Sequence, residues 1–442
     1  MARAKKKEAL SLEEKLEQAL VPMDEWPYGV PENWCWTRLK NVTYHISDGL
    51  HNLPKDAGKG IPLLSATNIR DSQINFKNIT RYITEEEWVQ ENKRTKVMVG
   101  DVLLTIVASI GRTAIIENDI KFALQRSVAV IKPIYNGKYI KYFLDSPYIQ
   151  SFMLKNAKGT AQKGFYLKSV EELYIAFPPI SEQQRIVEQI ESLFCKLDEG
   201  KEKTQEVISN LEVQKQRILQ DGFEGKLTKN WRKDKGINFD SWQQCFLKDV
   251  CTQMKAGGDK PNDFIEHFDN EHQIPVVANG VTNEGIIGYT SEAKYKAGTV
   301  TISGRGTIGF SINRKYDFYP VVRLIVLCPK TEIINAQFLK YAFDAYPEKG
   351  TGSSIPQLTV PSIKDKEIPI PSLEEQNEIV SIIEKVINRY DDSIKSSKDV
   401  VENIDSIKKS ILAKVFRGEL GTNNPSEESA IELLKQIIKG KE

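Results

Sequence analysis

The sequence contains an internal repeat, and this feature constrains the possible folds more than any other. Residues 178–227 align with residues 371–420 at a constant offset of 193 without a gap, and sixteen of the fifty positions are identical. Self-similarity at a fixed offset is the signature of a repeated architecture. We therefore predict two similar halves in one chain. The identical pairs include Glu182/Glu375, Gln183/Gln376, Ile186/Ile379, Val187/Val380, Asn210/Asn403, Ile218/Ile411, Phe223/Phe416 and Gly225/Gly418.

Each copy of the repeat follows a proline-containing stop and carries apolar residues at heptad spacing, which is typical of a coiled coil. About 40 residues at about 1.5 Å each give a helix near 60 Å long. The spacing weakens at the same place in both copies, at Gly200/Thr204 and Ser393/Ser397. Because phase, length and flanking motifs all repeat, we predict that the two helices pair with each other. The predicted seam consists of Ile186, Ile190, Leu193, Leu197, Val207, Leu211, Ile218, Ile379, Ile383, Val386, Tyr390, Val400, Ile404, Ile407 and Ile411.

The segments before the two helices also match each other in framework but not in loops. Trp34 corresponds to Trp242, residues 100–105 to 298–303, and residues 141–145 to 340–344. Short β-branched runs between Gly, Asn and Pro predict strands and turns, with helices near 84–94, 137–156 and 335–346. The loop 49–60 is basic, whereas 257–270 is longer and of mixed charge. This pattern indicates one mixed α/β scaffold that carries two different recognition surfaces.

Composition excludes several classes of protein. The 61 Lys and Arg residues balance 60 Asp and Glu residues, so net charge neither indicates nor excludes nucleic-acid binding. The five cysteines form no C-x-x-C pair, which argues against disulfides and cysteine-based zinc sites and favours a reducing cytoplasm. No apolar run reaches the about 18 residues of a membrane helix, and the acidic residues after Lys7 argue against a signal peptide.

The order of these motifs resembles that of the specificity subunits of type I restriction-modification systems (HsdS family). The resemblance runs from about residue 24 to residue 420. Each motif is weak alone, but their order and duplication make the match specific. The motifs are the stretch 27–34, the strand and turn 101–111, the stretch 159–167 and Ile180-Ser181-Glu182-Gln183-Gln184, with 298–309, 350–358 and 373–376 in the second copy.

The resemblance implies an α/β (α+β) fold with two globular target recognition domains and two long helices that form an antiparallel coiled coil, related by a pseudo-two-fold repeat. Each domain would read one half of a bipartite, asymmetric DNA site, and the coiled coil would set the spacer. The expected organisation is an N-terminal charged helix (1–23), target recognition domain 1 (24–178), coiled-coil helix 1 (179–232), target recognition domain 2 (233–370), coiled-coil helix 2 (371–420) and a C-terminal tail helix (421–442).

The resemblance also implies partners. These are double-stranded DNA, two methyltransferase subunits docked on the helices, and restriction or translocase subunits, in the cytoplasm and without a membrane. The chain itself would bind no cofactor or metal, and S-adenosylmethionine, ATP and Mg²⁺ would be bound by the partner subunits.

Candidate DNA contacts are polar or basic residues in loops whose framework repeats. Arg, Lys, Asn and Gln can hydrogen-bond to base edges, while Ser and Tyr more often contact phosphate. Each residue could equally be an ordinary exposed loop residue. The candidates are Asn52, Lys55, Lys59, Ser65, Asn68, Arg70, Arg112, Arg126, Gln162, Lys163 and Tyr166 in the first domain, and Lys255, Lys260, Asn279, Asn283, Arg305, Arg323, Ser353, Ser354 and Gln357 in the second.

Other motifs favour no catalytic role. Residues 304–309 match G-x-G-x-x-G, but the next residues predict a strand, so a hairpin that brings Arg305 to DNA is preferred over a dinucleotide site. His267 and His272 lack metal-ligand spacing. The chain has neither a phosphate-binding loop nor the N/D-P-P-Y/F tetrapeptide of amino-methyltransferases. We therefore predict a non-catalytic subunit of a DNA adenine methyltransferase and restriction endonuclease complex.

Two alternatives remain. A non-enzymatic coiled-coil assembly scaffold with protein-binding globular domains would explain the helices, but it gives less reason for the loops to diverge. A stand-alone enzyme is disfavoured by the missing catalytic motifs.

Overall fold

The computed structural model describes residues 10–159, 162–348, 350 and 356–441. The chain divides into two compact units, one formed by residues 1–201 and 402–442 and the other by residues 202–401. The helices are α1 Leu12–Ala19, α2 Glu85–Thr95, α3 Gly137–Leu144, α4 Pro147–Asn156, α5 Leu167–Glu171, α6 Ile180–Phe223, α7 Lys229–Lys235, α8 Leu247–Val250, α9 Ala336–Ala345, α10 Val360–Ile363, α11 Leu373–Val415 and α12 Ala430–Gly440. The strands are β1 Cys35–Arg38, β2 Thr43–Asp48, β3 Ile61–Leu64, β4 Ile69–Arg70, β5 Gln73–Ile74, β6 Tyr82–Ile83, β7 Val102–Thr105, β8 Thr113–Ile115, β9 Ala123–Leu124, β10 Val128–Pro133, β11 Tyr174–Phe177, β12 Gln243–Phe246, β13 Cys251–Ala256, β14 Ile274–Val277, β15 Ile286–Thr290, β16 Thr299–Ile302, β17 Ser311–Arg314, β18 Tyr319–Pro320, β19 Ile325–Pro329 and β20 Glu367–Ile370.

The first unit is built on a four-stranded antiparallel sheet of order β2-β10-β7-β8, in which Val130 of β10 lies opposite Leu103 of β7. A three-stranded sheet, β6-β3-β9, places β3 antiparallel to β6 and parallel to β9. Two smaller pairs, β1-β11 and β4-β5, complete the unit.

The second unit repeats this topology except for the β4-β5 pair, which has no counterpart among its described strands. Its four-stranded sheet has the order β13-β19-β16-β17, and its three-stranded sheet has the order β15-β14-β18 with β14 parallel to β18. The pair β12-β20 corresponds to β1-β11. The predicted mixed α/β fold with an internal repeat is therefore confirmed.

Side-chain caps explain where the helices between the strands begin. Asn136 and Asn335 hold matching positions at the starts of α3 and α9, and each side chain accepts hydrogen bonds from backbone N–H groups of the first turn. Thr84 and Glu87 form a capping box at the start of α2. The stretch 137–156, predicted as one helix, is two helices, because Pro147 begins a second one.

The two long helices pack into the core of the unit that precedes each of them. Ile186 and Ile190 of α6 are buried in the first unit with Trp36 and Phe143. Ile379 and Ile383 of α11 are buried in the second unit. Both helices therefore use their first turns to extend a domain core.

The helices run antiparallel within each unit, since the start of one packs with the end of the other. In the first unit Lys408 of α11 contacts Asp198 of α6 at 2.6 Å. In the second unit Lys215 of α6 contacts Asp391 of α11, also at 2.6 Å. Lys215 and Lys408, like Asp198 and Asp391, are identical pairs of the repeat. Each unit thus contains the same contact, as expected for two copies of one helix that pair head to tail.

The seam on α6 departs from the predicted heptad phase after Thr204. Val207, predicted as a seam residue, is 49% exposed, whereas the next residue, Ile208, is 3% exposed. Further along, Leu219 is buried and Ile218 is only half-buried. Val207 therefore lies at the open edge of the helix pair, in a groove that it shares with Val400, and is not the buried seam residue that was predicted.

The same shift occurs on α11. Val400 and Ile407, predicted as seam residues, are 53% and 44% exposed, while Ile387 and Ile394 are buried. A straight helix has 3.6 residues per turn and drifts by about 20° per heptad against a 3.5-residue repeat. After two to three heptads the buried stripe therefore moves by one position. The other predicted seam residues are buried or half-buried: Ile186, Ile190, Leu193, Leu197, Leu211, Ile218, Ile379, Ile383, Val386, Tyr390, Ile404 and Ile411.

Glycines end both long helices at matching positions. Gly225 and Gly418 have φ values of +71° and +73°, the left-handed conformation typical of a helix C-cap. The next residues, Lys226 and Glu419, donate their N–H groups five residues back, to the carbonyls of Asp221 and Lys414. A Cβ atom at Gly225 would lie 2.1 Å from Phe239, and one at Gly418 would lie 2.4 Å from Pro31. These contacts explain why both copies have glycine there.

Both terminal helices belong to the first unit. Leu16 of α1 and Leu434 and Ile437 of α12 are buried in its core. Lys441 donates from Nζ to the carbonyls of Lys40, Asn41 and Thr43 at 2.8–3.0 Å. Within the described parts of the chain, none of the helices has the length and apolar character needed to cross a membrane.

Candidate nucleic-acid interface

Backbone hydrogen bonds gather the predicted contact loops of the first unit at one edge of its sheets. Leu50 donates to the carbonyl of Leu124 at 2.7 Å, and Arg126 donates to the carbonyl of Leu50 at 3.0 Å. The turn after β7 lies beside these loops, because the N–H of Ile106 donates to the carbonyl of Ser127 at 2.9 Å and its carbonyl accepts from the N–H of Phe165 at 2.7 Å. The loops 49–60, 106–112, 125–127 and 162–166 therefore lie together.

Four of the polar side chains brought together there line a cleft. It is bordered by His51, Arg126, Gln162 and Tyr166, with Asp48 at its wall. Tyr166 is 53% exposed, and Arg126 and Gln162 are exposed as well. The cleft thus offers a guanidinium, an amide and an aromatic ring to a ligand, which is a set able to bind base edges and phosphates.

Two residues near this cleft, His51 and Arg94, contact Asp48 in its wall. His51 Nε2 lies 2.9 Å from Asp48 Oδ2. Arg94 of α2 reaches the carbonyls of Asp48 and Gly49. Arg94 was not among the predicted residues, because a basic residue on a charged helix gives no signal in the sequence that it reaches a neighbouring loop.

The remaining candidates of the first unit fall into two groups. Asn52, Lys55, Lys59, Arg70 and Lys163 are exposed on loops or the β4-β5 hairpin. Arg112 is half-buried, and its guanidinium donates to the carbonyl of Ile69 at 3.4 Å.

Ser65 and Asn68 are structural residues, which corrects their prediction as DNA contacts. Asn68 is 5% exposed, its Oδ1 accepts from the Ser65 N–H at 3.0 Å, and its Nδ2 donates to the carbonyl of Asn75 at 3.1 Å. Ser65 caps the turn 66–68. Because its Oδ1 and its Nδ2 both form hydrogen bonds within the protein, the buried Asn68 side chain is not available to contact a base.

The second unit gathers the matching loops with matching bonds. Val322 donates to the carbonyl of Gly258 at 2.8 Å, as Arg126 does to Leu50. Leu358 donates to the carbonyl of Gly304 at 2.8 Å, as Phe165 does to Ile106. The framework of the loop edge is therefore the same in both units.

The glycine-rich turn of the second unit is a hairpin. It lies between β16 and β17, and no helix follows it, so the dinucleotide-binding alternative is excluded. A Cβ atom at Gly304 would lie 2.8 Å from the carbonyl oxygen of Leu358, which explains this glycine by close packing. Arg305 is exposed, and its guanidinium donates to Gln357 Oε1 at 3.2 Å.

Asn279 is also a structural residue rather than a free contact. Its Oδ1 accepts from the Gly304 N–H at 2.8 Å, and its Nδ2 donates to the carbonyl of Val322 at 2.7 Å. The side chain therefore ties two loops of the edge together, which corrects its prediction as a base contact.

The other candidates of the second unit are exposed, except where they lie outside the described residues. The Lys260 ammonium nitrogen lies 3.8 Å from the centre of the Phe264 ring. Asn283 and Arg323 have backbone φ values of +47° and +60°. Lys255 is exposed at the end of β13. Ser353 and Ser354 lie outside the described residues.

His272 is held by a hydrogen bond within its own loop. His272 Nδ1 lies 2.9 Å from Asp269 Oδ1, and this hydrogen bond raises the pKa of His272. In the stretches that the structure describes, no three His, Cys, Asp or Glu side chains are placed to hold a metal ion.

The identical positions of the repeat form a polar cluster at the start of each long helix. In the first unit Glu182 is fully buried and accepts from Trp34 Nε1 at 2.7 Å and Asn423 Nδ2 at 2.9 Å. In the second unit Glu375 accepts from Trp242 Nε1 at 2.9 Å and Thr228 Oγ1 at 2.7 Å.

The two clusters differ in charge. Glu375 forms an ion pair with Arg232, which is 7% exposed, whereas Glu182 accepts its hydrogen bonds from neutral groups of Trp34, Thr422 and Asn423. The repeat in the sequence identified both glutamates, but no sequence pattern predicted that Arg232 contacts Glu375 or that Asn423 contacts Glu182. These clusters fix the first strand of each globular part to the helix that follows it.

Comparison with known proteins gives one consistent result. The family model described as "Type I restriction modification DNA specificity domain" matches residues 55–209 and 240–403. The type I restriction enzyme EcoBI specificity subunit of Escherichia coli is 29% identical over 248 residues, which are 54% of this chain and 52% of that protein. The chain thus spans about half the length of this relative. The EcoKI specificity subunit of Escherichia coli strain K12 is 23% identical over 458 aligned residues, covering 92% of this chain and 95% of that protein.

A solved structure shares the fold. A chain from the work described as "Structural basis underlying complex assembly and conformational transition of the type I R-M system" superposes with a TM-score of 0.69 at 18% identity, covering 89% of this chain and 100% of that chain.

Proposed function

The chain belongs to the type I restriction-modification DNA specificity family, and we propose that it is the sequence-specificity subunit of such a complex. Each unit reads one half of a bipartite, asymmetric DNA target. The protein is non-catalytic and acts by positioning its partners on DNA.

One observation carries this proposal. The loop edges of the two units share their backbone hydrogen bonds, yet the side chains they present differ. The exposed residue two positions after β9 is Arg126 in the first unit, and the exposed residue two positions after β18 is Val322 in the second unit. A fixed framework with different side chains suits two readers of different sequences, because bases are distinguished by side-chain chemistry in the major groove.

The exposed lysines and arginines have separate roles in this scheme. Arg126 in the cleft suits bidentate pairing with guanine O6 and N7. Lys55 and Lys59, on an exposed loop, suit phosphate contacts that position the protein without reading sequence. An Arg126→Ala variant should relax specificity at one base, whereas Lys55→Ala should weaken binding to all sequences and lower its salt dependence.

The long helices organise the complex. They set the number of unread base pairs between the half-sites, and they dock two methyltransferase subunits, with restriction or translocase subunits joining in the cytoplasm. S-adenosylmethionine, ATP and Mg²⁺ are then bound by those partners. The antiparallel contacts Lys408–Asp198 and Lys215–Asp391 support this role, since each unit holds the two helices together with the same ion pair.

A domain exchange tests the proposal. The chain is expressed with its methyltransferase partner, and methylated adenines are mapped across the host genome. Replacing residues 34–178 with the equivalent part of a relative should change one half of the methylated motif, and replacing residues 240–370 should change the other half. A change in both halves after one exchange, or no sequence-specific methylation by the wild-type complex, would overturn the assignment.

A further inference from the structure

Val322 has a backbone conformation that is unfavourable for its side chain. Its φ is +52°, and a β-branched residue in the left-handed region is a genuine outlier because its Cβ crowds the backbone. Such residues persist where the surroundings fix them, and they cluster at functional sites. The side chain is 50% exposed, so burial compensates for little of the strain.

The surroundings hold this peptide from both sides. The N–H of Val322 donates to the carbonyl of Gly258 at 2.8 Å, and its carbonyl accepts from Asn279 Nδ2 at 2.7 Å. Val321 before it donates to the carbonyl of Val277 at 2.8 Å. The loop therefore presents an isopropyl group to solvent from a fixed position at the loop edge of the second unit.

The first unit has an arginine at the matching backbone position. Gln125 donates to the carbonyl of Leu64, as Val321 does to Val277, and both bonds are 2.8 Å long. Arg126 and Val322 follow them and bond to Leu50 and Gly258. The backbone hydrogen bonds are shared, but of these two residues only Val322 has a positive φ, so the turn itself differs between the units. The presented group changes from a cation to an apolar group.

We propose that Val322 is a specificity-determining residue that reads the 5-methyl group of a thymine in the second half-site. This inference rests on the proposed function. The major-groove edges of the bases are polar apart from the thymine methyl, which is the feature that an apolar side chain can recognise there. Val281, 51% exposed and two residues after Asn279, adds a second exposed apolar side chain close by in sequence to the residue that holds Val322. A valine that served only the fold would be replaced without loss by glycine, which adopts this φ without strain.

The test removes the methyl group from either side of the contact. The complete complex with its methyltransferase partner is titrated with duplexes of the mapped target in which each thymine of the second half-site is replaced, one at a time, by deoxyuridine. For the wild type, one replacement should raise Kd about three- to five-fold, as expected for the loss of one buried methyl group.

Variants then assign that effect to Val322. Val322→Gly should raise Kd for the thymine target by a similar factor and bind the deoxyuridine duplex equally well, while Val322→Ile should keep the discrimination. Val322→Asn, a second residue that tolerates positive φ, should lose it as Val322→Gly does. As a matched control, Val213→Ala changes a valine that is 65% exposed on α6 and should keep the full deoxyuridine effect.

The outcomes separate this inference from the proposed function. It is overturned if the second half-site contains no thymine, if the wild type is indifferent to every replacement, or if Val322→Gly and Val322→Asn still discriminate. In those cases the complex still binds its mapped target, and the proposed function stands. A wild-type complex without a specific target would overturn the proposed function instead. Val322→Gly should melt no lower than the wild type, so unfolding cannot explain a loss of discrimination.

Discussion

At the scale of single residues, the two buried glutamates offer a matched pair of sites. Glu375→Gln should leave Arg232 as a buried cation without a charged partner, at a cost of about 3–5 kcal/mol. Glu182→Gln replaces a carboxylate that accepts from neutral donors, and it should cost about 1–3 kcal/mol. Urea unfolding of each variant measures the difference.

The control for this pair is Glu206→Gln, on the exposed side of α6, which should change stability by less than about 0.5 kcal/mol. If Glu375→Gln is no more destabilising than Glu182→Gln, then the Arg232 ion pair does not have the role that its burial indicates.

The pair of His272 and Asp269 predicts a pH dependence in the loop before β14. The hydrogen bond that His272 Nδ1–H donates to the Asp269 carboxylate raises the pKa of His272 above its ordinary value, so the protonated form is favoured in the folded loop. The stability that this hydrogen bond adds to the folded loop is present at low pH, and it is lost as the pH rises through the raised pKa of His272. The chain has four histidines, so NMR titration of labelled histidine can resolve it. Asp269→Asn should lower the pKa of His272, and an unchanged titration would contradict the assignment.

Residue types in loops predicted the interface only in part. Arg126, Gln162 and Tyr166 line one cleft, as their shared loop framework suggested. Asn68 and Asn279 have the same polar character but turn inward to tie loops together. Polar composition alone could not separate these two uses, because loops need internal hydrogen bonds as well as ligand contacts.

At the scale of elements, the sequence predicted the helices and the repeat but not the path of the seam. A strict heptad template places Val207 inside and Ile208 outside, while the structure has the reverse. The template assumes 3.5 residues per turn, whereas the buried stripe of a straighter helix drifts relative to that repeat. The sequence contains both apolar residues, and helix geometry decides between them.

This correction gives a paired mutational prediction. Ile208→Ala should destabilise the protein by about 2–5 kcal/mol, because it deletes buried methylene groups and leaves a cavity. Val207→Ala, at the adjacent exposed position, should change stability by less than about 0.5 kcal/mol. Unfolding midpoints in urea measure both. Equal losses of stability in the two variants would show that Val207 contributes to the seam as much as Ile208 does, as the heptad template predicts.

At the scale of the whole molecule, α6 and α11 are the elements that belong to both units. Each is continuous over more than 40 residues, and the division between the units falls within both helices, after Lys201 and after Val401. Under the proposed function, the length of these helices should therefore set the number of unread base pairs.

Inserting about four residues, close to one helical turn, into both helices should lengthen the spacer while both half-site sequences stay the same. The insertions belong near Gly200 and Ser397, because a Cβ at Gly200 would meet no atom within 4 Å and the side chains around Ser397 border a groove between the helices. Four residues keep the buried stripe nearly in phase, whereas a two-residue insertion in both helices rotates it by about 200° and should abolish methylation. Mapping methylated adenines measures the spacer directly. If the four-residue variant methylates targets with the original spacer, then some other part of the complex sets the distance between the half-sites.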